Sequence, residues 1–132
     1  MSGFGLSDGA AAALRALLAK LGERAGRPVT LEGLIASWAG VVKEIETGYG
    51  LSLYDYLNDL DVRGVLQDIV DRGPSELKQP LRTALAPLDA RFRMATRRPK
   101  VRLRVGASDW WLRIPKAPPD ELRADLEEGG FV

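Results

Sequence analysis

Four successive stretches of this chain repeat apolar residues at the spacing of an α-helix, and that periodicity limits the fold to helices packed on helices. The clearest stripe is Leu31, Leu34, Ile35, Trp38, Val42, Ile45 and Tyr49, with Glu32, Lys43, Glu44 and Glu46 mostly off it. Thr30 stands where an N-cap belongs, and Trp38 and Tyr49 read as core residues. An earlier helix spans about Ser7 to Arg24, with Leu14, Leu17, Leu18 and Leu21 on one face, and Gly22, Gly26 and Pro28 close it. A third begins after Ser52, with Asp55 at N3 in a variant of the capping box. If it is continuous, Asp55, Asp59 and Arg63 stack at i, i+4 and i+8, and Asp59 pairs with Arg63. Alternatively, Asn58 or Asp59 ends one short helix and Asp61 begins another; the passage from Leu53, Leu57 and Leu60 to Val62, Val65, Leu66, Ile69 and Val70 supports such a change of phase. The fourth stripe runs Leu77, Leu81, Leu85, Leu88 and Phe92 after Gly73-Pro74, and Pro80 and Pro87 within it predict two segments or a bent helix. Pro118-Pro119-Asp120 opens a short terminal helix carrying Leu122 and Leu126.

The pattern changes between Lys100 and Pro115. Lys100-Val101-Arg102-Leu103-Arg104-Val105 and Trp110-Trp111-Leu112-Arg113-Ile114-Pro115 alternate with period two around Gly106-Ala107-Ser108-Asp109, which predicts a β-hairpin. Val105 would face Trp110, Leu103 would face Leu112 and Val101 would face Ile114 on an apolar side. The other side would be cationic, with Arg104 opposite Trp111 and Arg102 opposite Arg113. An isolated ribbon is marginal in water, so its apolar side must lie on the helices. The expected fold is therefore mainly α, of the α+β kind: a compact helical domain of four to five helices with a C-terminal β-hairpin and a short terminal helix. Its parts are a peripheral N-terminal helix over 1–28, a helical core over 30–98, a basic hairpin over 99–116 and an acidic helix and tail over 117–132.

A chain of 132 residues suits one domain, able to bury roughly two thirds of its unfolded surface. The absence of cysteine removes disulfides, thiolate nucleophiles and sulfur-ligated zinc from this chain. The absence of histidine excludes triads and nucleases that use a His base. There is no Walker motif, dinucleotide-binding glycine fingerprint or serine nucleophile elbow, and no cofactor is expected. No signal peptide or apolar run of membrane-spanning length is visible, so a cytoplasmic location is expected.

Charge singles out the hairpin. Net charge is only +1, yet nine of the nineteen Lys and Arg residues fall between Arg91 and Lys116 against one acid, Asp109, while 32–76 and 117–132 are acidic. Three counter-charges are open: acids of the same chain folded over the ribbon, an acidic partner protein, or nucleic acid. For a partner, the expected contact residues are Lys100, Arg102, Arg104, Trp111 and Arg113. Asp55, Asn58, Asp59, Asp61 and Arg63 form a second, acidic group read as capping and ion-pair residues. Asp55, Asp59 and Asp61 offer oxygen ligands for Mg²⁺ in a third, enzymatic reading, but their spacing is not that of an EF-hand. The preferred expectation is a non-enzymatic interaction protein, a neutralising or adaptor protein of the immunity or antitoxin kind; the alternative is a nucleic-acid-binding accessory protein.

Trp38, Gly48-Tyr49, the run Tyr54-Asp55-Tyr56-Leu57-Asn58-Asp59-Leu60-Asp61-Val62-Arg63, Leu88-Asp89-Ala90-Arg91-Phe92 and Trp110 to Pro115 together resemble a group of small uncharacterised proteins from cyanobacteria and actinobacteria. The resemblance covers about residues 31 to 127 and leaves the N-terminal helix outside. It implies a bacterial origin and a compact single domain, and it lends no activity and no functional residues.

Overall fold

Helical periodicity becomes five helices in the computed structural model, which describes residues 4–50, 52–104 and 109–132. They are α1 (Asp8–Ala25), α2 (Leu31–Thr47), α3 (Leu53–Arg72), α4 (Ser75–Ala95) and α5 (Asp120–Glu128). Between α4 and α5, β1 (Thr96–Arg97) pairs antiparallel with β2 (Ile114–Pro115), Thr96 opposite Pro115 and Arg97 opposite Ile114. The fold is mainly α with a small β-hairpin and a short C-terminal helix.

Local chemistry sets the helix ends. The Ser7, Thr30 and Ser52 hydroxyls accept from the Ala10, Gly33 and Asp55 N–H groups, so each satisfies a donor left free in a first turn. The Ser52 hydroxyl also donates to the Asp55 carboxylate at 2.9 Å. Gly26 ends α1 at φ 70°, a left-handed conformation that glycine adopts without a Cβ penalty. At the start of α3 the Leu53 N–H donates to Asp125 of α5 at 2.9 Å, placing an acid where the helix dipole favours one.

The helix α2 packs on α3 and α4, α1 on α4, and α5 on α3. Trp38, Val42, Tyr56, Leu60, Leu66, Leu77, Leu81 and Phe92 are wholly or almost wholly buried in one core cluster. Leu122 and Leu126 of α5 join it, whereas α1 buries only Ala10 and Leu14.

In three details the structure decides between the alternatives left open by the sequence or departs from its expectation. The third helix is continuous, and its buried stripe is Tyr56, Leu60, Arg63, Leu66, Ile69 and Val70, with no change of phase. The fourth is also one helix, despite Pro80 and Pro87. Each proline deprives the carbonyl four residues earlier of its partner; those carbonyls belong to Glu76 and Thr83, both exposed, where water can replace the missing N–H.

The third departure is the hairpin. Its ladder lies at the base, and Lys100 to Arg104 are not in a strand. The expected loop residues Gly106 to Ser108 and the Val105–Trp110 pair lie outside the described residues. Leu103, Trp111 and Leu112 are buried as Ile114 is, while Val101 is 52% exposed. Trp110 to Arg113 turn instead of extending: the Leu112 N–H donates to the Asp109 carbonyl at 3.1 Å and the Arg113 N–H to that of Trp111 at 2.8 Å.

Candidate interaction surface

Beneath the segment from Arg98 to Arg113 lies a buried ion pair. Arg63 of α3 donates from Nε and Nη2 to the two carboxylate oxygens of Asp89 on α4, each at 2.9 Å, in the bidentate geometry that gives arginine its strongest carboxylate contact. Trp38 of α2 donates from Nε1 to the same carboxylate at 3.0 Å. The Arg63 guanidinium lies 5.3 Å from the Trp110 ring centroid and 5.5 Å from that of Trp111, within cation–π range of both. Trp110 also meets Phe92 edge-on at 6.0 Å, and Phe92 meets Trp38 at 5.0 Å. The remaining Arg63 nitrogen, Nη1, donates to Gln67 at 3.2 Å. One charged pair thus joins α2, α3 and α4 and fixes the two tryptophans above them.

This explains the lost strand. Neighbours in a strand point to opposite faces, so a ribbon would bury one tryptophan and expose the other. Arg63 engages both rings, and the chain turns to bring them to it. Trp111 is only 7% exposed, with its ring against Gly64, where an added Cβ would stand 3.4 Å from Trp111 Cζ2. The expectation of Trp111 as an exposed anchor is corrected accordingly.

The other expected contact residues divide into two sets. Arg104 reaches back to α3, donating to Asp61 at 2.8 Å and to the Leu57 carbonyl at 3.2 Å. Arg113 closes the end of α4: its Nε donates to Thr96 Oγ1 at 2.9 Å and its Nη2 to the Thr96 carbonyl at 2.9 Å and the Arg93 carbonyl at 3.5 Å. Burial first, then the nearby charges of Arg98 and Arg93, hold the Arg113 guanidinium below its ordinary pKa. Lys100 and Arg102 are exposed and make no ion pair among the described residues. Arg97 and Arg98, absent from the expected set, share that condition. Arg93 lies 3.9 Å over the Trp110 ring.

Among the described residues, acids of the same chain thus pair with two cations of the basic segment, Arg91 and Arg104. Glu46 of α2 takes Arg91 in a two-point contact at 2.5 and 3.1 Å, which holds the Glu46 carboxyl below its ordinary pKa. Asp61 takes Arg104, and no acid of the C-terminal tail pairs with the segment among the described residues.

The acidic group on α3 is dispersed. Asp55 is held by Ser52, Asp59 accepts from the buried Tyr49 hydroxyl, and Asp61 pairs with Arg104, while Asn58 is exposed. The expected Asp59–Arg63 pair does not form, because Arg63 faces inward to Asp89. No group of three or more carboxylates is placed to hold a metal ion among the described residues.

The pairing of Arg63 with Asp89 escaped the sequence reading, although a signal was present. Each occupies the apolar stripe of its helix: Arg63 follows Tyr56 and Leu60, and Asp89 follows Leu81 and Leu85. Two opposite charges on facing stripes are the mark of a buried pair. Comparison with family models, with curated proteins and with solved structures gives no match.

Proposed function

We propose that this protein works by binding, and that its basic face around Arg97, Arg98, Lys100 and Arg102 docks on an acidic surface of another protein. The observation that carries the reading is that these four cations have no carboxylate partner among the described residues, while Asp125 is held at the start of α3 and Asp61 on Arg104. Unpaired charge on one face steers encounter with an oppositely charged partner and fixes its orientation. Arg104 leaves the contact set because its hydrogen bonds go to Asp61 and the Leu57 carbonyl within the fold, whereas Arg113 keeps Nη1 without a partner among the described residues. A neutralising or adaptor role of the immunity or antitoxin kind, in the cytoplasm of a bacterium, is the concrete form of this reading.

Nucleic acid is the second reading, favoured by the same four cations. It has less support, because Trp111 is buried and Arg93 covers Trp110, which removes the aromatic platform that base stacking needs.

Affinity capture from lysate of the source organism, with wild type and an Arg97→Glu/Arg98→Glu/Arg102→Glu variant, tests the proposal. A protein retained by wild type alone, insensitive to nuclease and bound again after purification, is the expected result. Retention that nuclease abolishes transfers the assignment to nucleic acid, and equal retention by the variant removes the basic face from consideration.

A further inference from the structure

Within the basic face lies a cleft of about 440 Å³ whose walls include Arg98, Lys100, Arg102 and Arg113, one acid, Asp109, and Trp110. Its chemistry is mixed, and that narrows what can fill it. Arg113 is fixed by its Nε and Nη2 bonds to Thr96 and Arg93, which leaves Nη1 as the nitrogen with no partner among the described residues. Arg98 stands close enough to lower the pKa of Arg113 and makes no ion pair of its own among those residues. Two guanidinium groups thus border one cleft, neither of them in an ion pair among the described residues, an arrangement that an oxyanion would relieve.

The same cleft has an apolar component. Val101 lines it and is half exposed, and Leu103, Trp110 and Leu112 form deeper parts of its wall. Asp109 on the wall repels a multiply charged group more than a singly charged one. A lone carboxylate beside an aliphatic side chain meets all three conditions; a phosphate chain meets only the first.

Building on the basic-face reading, we infer that this cleft receives a short acidic peptide segment of the partner. One Asp or Glu carboxylate of that segment bridges Arg98 and Arg113, and an adjoining aliphatic side chain rests on Val101. Arg113 is a rigid half of the clamp because its guanidinium is already ordered, so less side-chain entropy is lost on binding. Arg98 is the mobile half.

The test is fluorescence anisotropy with four labelled probes at equal concentration: a peptide of alternating Glu and Leu, the same peptide with Gln for Glu, an oligoglutamate of equal charge, and a thymidine oligonucleotide of equal charge. Arg98→Gln is the variant, since Arg98 is exposed and its side chain makes no ion pair among the described residues. The Glu/Leu peptide should bind about tenfold tighter than oligoglutamate, the Gln peptide should not bind measurably, and Arg98→Gln should cost the Glu/Leu peptide about tenfold or more with an unchanged melting temperature. Failure of the Glu/Leu peptide to bind, binding of oligoglutamate or oligonucleotide as tight as that of the peptide, or indifference to Arg98→Gln each overturns the inference. If the peptide fails while the Arg97/Arg98/Arg102 reversal still abolishes capture of a protein, the cleft assignment falls and the basic face stands. If the reversal has no effect either, both fall.

Discussion

Arg63 and Asp89 are the residues whose burial organises the functional face. Removing one partner of a buried pair strands the other charge away from water; Asp89→Ala should therefore cost about 3–5 kcal/mol in urea unfolding. Replacing both, as Arg63→Met with Asp89→Leu, should restore much of that stability but loosen the tryptophans, visible as weaker near-ultraviolet circular dichroism. An Asp89→Ala variant as stable as wild type would show that Arg63 does not depend on this carboxylate. A second residue-scale prediction concerns pH. Burial, chiefly, raises the Tyr56 phenol far above the ordinary tyrosine range, while Tyr49 rises through burial and its bond to Asp59. A raised folded-state pKa gives stability that is complete below the unfolded value and declines as pH rises past it. Above about pH 10, Tyr56 should remove about 1.4 kcal/mol of stability per pH unit. Tyr56→Phe should flatten that decline while losing the 2.5 Å hydrogen bond to the Arg113 carbonyl. An unchanged slope would locate the alkaline sensitivity elsewhere. The hydrogen bond of Tyr56 was not legible in the chain: a tyrosine on a helix stripe reads as core, as Tyr49 did, but the acceptor of Tyr56, 57 residues away, is set only by the turn at Trp111.

At the scale of elements, most helices were legible because their caps and stripes agree: Thr30 with Leu31 to Tyr49, Ser52 with Asp55, and Pro119 with Leu122 and Leu126. The unity of α3 was left open, because a buried arginine breaks the apolar stripe that marks a helix face. The segment from Lys100 to Pro115 was misread for a related reason. Alternation is a local signal, and a tertiary contact, Arg63 against two successive tryptophans, overrides it. Only the residues at the base pair as strands. Gly64 tests this account. In the middle of a helix it costs about 0.5–1 kcal/mol against alanine, yet it lets Trp111 lie on the α3 backbone. Gly64→Leu should expel Trp111, shift tryptophan emission to the red and lower stability by about 1–3 kcal/mol despite better helix propensity. Unshifted emission would mean that Trp111 does not need this gap.

On the whole molecule, two opposite surfaces of charge follow from which acids the fold consumes. The acidic block of 32–76 supplies Asp61 and Glu46 to the edge of the basic segment, and Asp125 from the tail goes to α3, so Arg97, Arg98, Lys100 and Arg102 remain unpaired among the described residues. Asp61, Asp68, Asp71 and Asp109 line an acidic cleft that shares Asp109 with the basic one. That the segment is basic was legible in composition; which of its cations are free was not, since that depends on contacts between residues more than forty positions apart. Exposed ion pairs contribute little to stability, so reversing the free cations should leave the fold intact. The most direct measurement is capture of a protein partner by three forms: wild type, Arg97→Glu/Arg98→Glu/Arg102→Glu, and Asp68→Lys/Asp71→Lys as an equally folded control. Retention by wild type and by the aspartate variant, with loss only on reversal of the arginines, is the predicted result. Retention by the arginine variant, or loss confined to the aspartate variant, would contradict it.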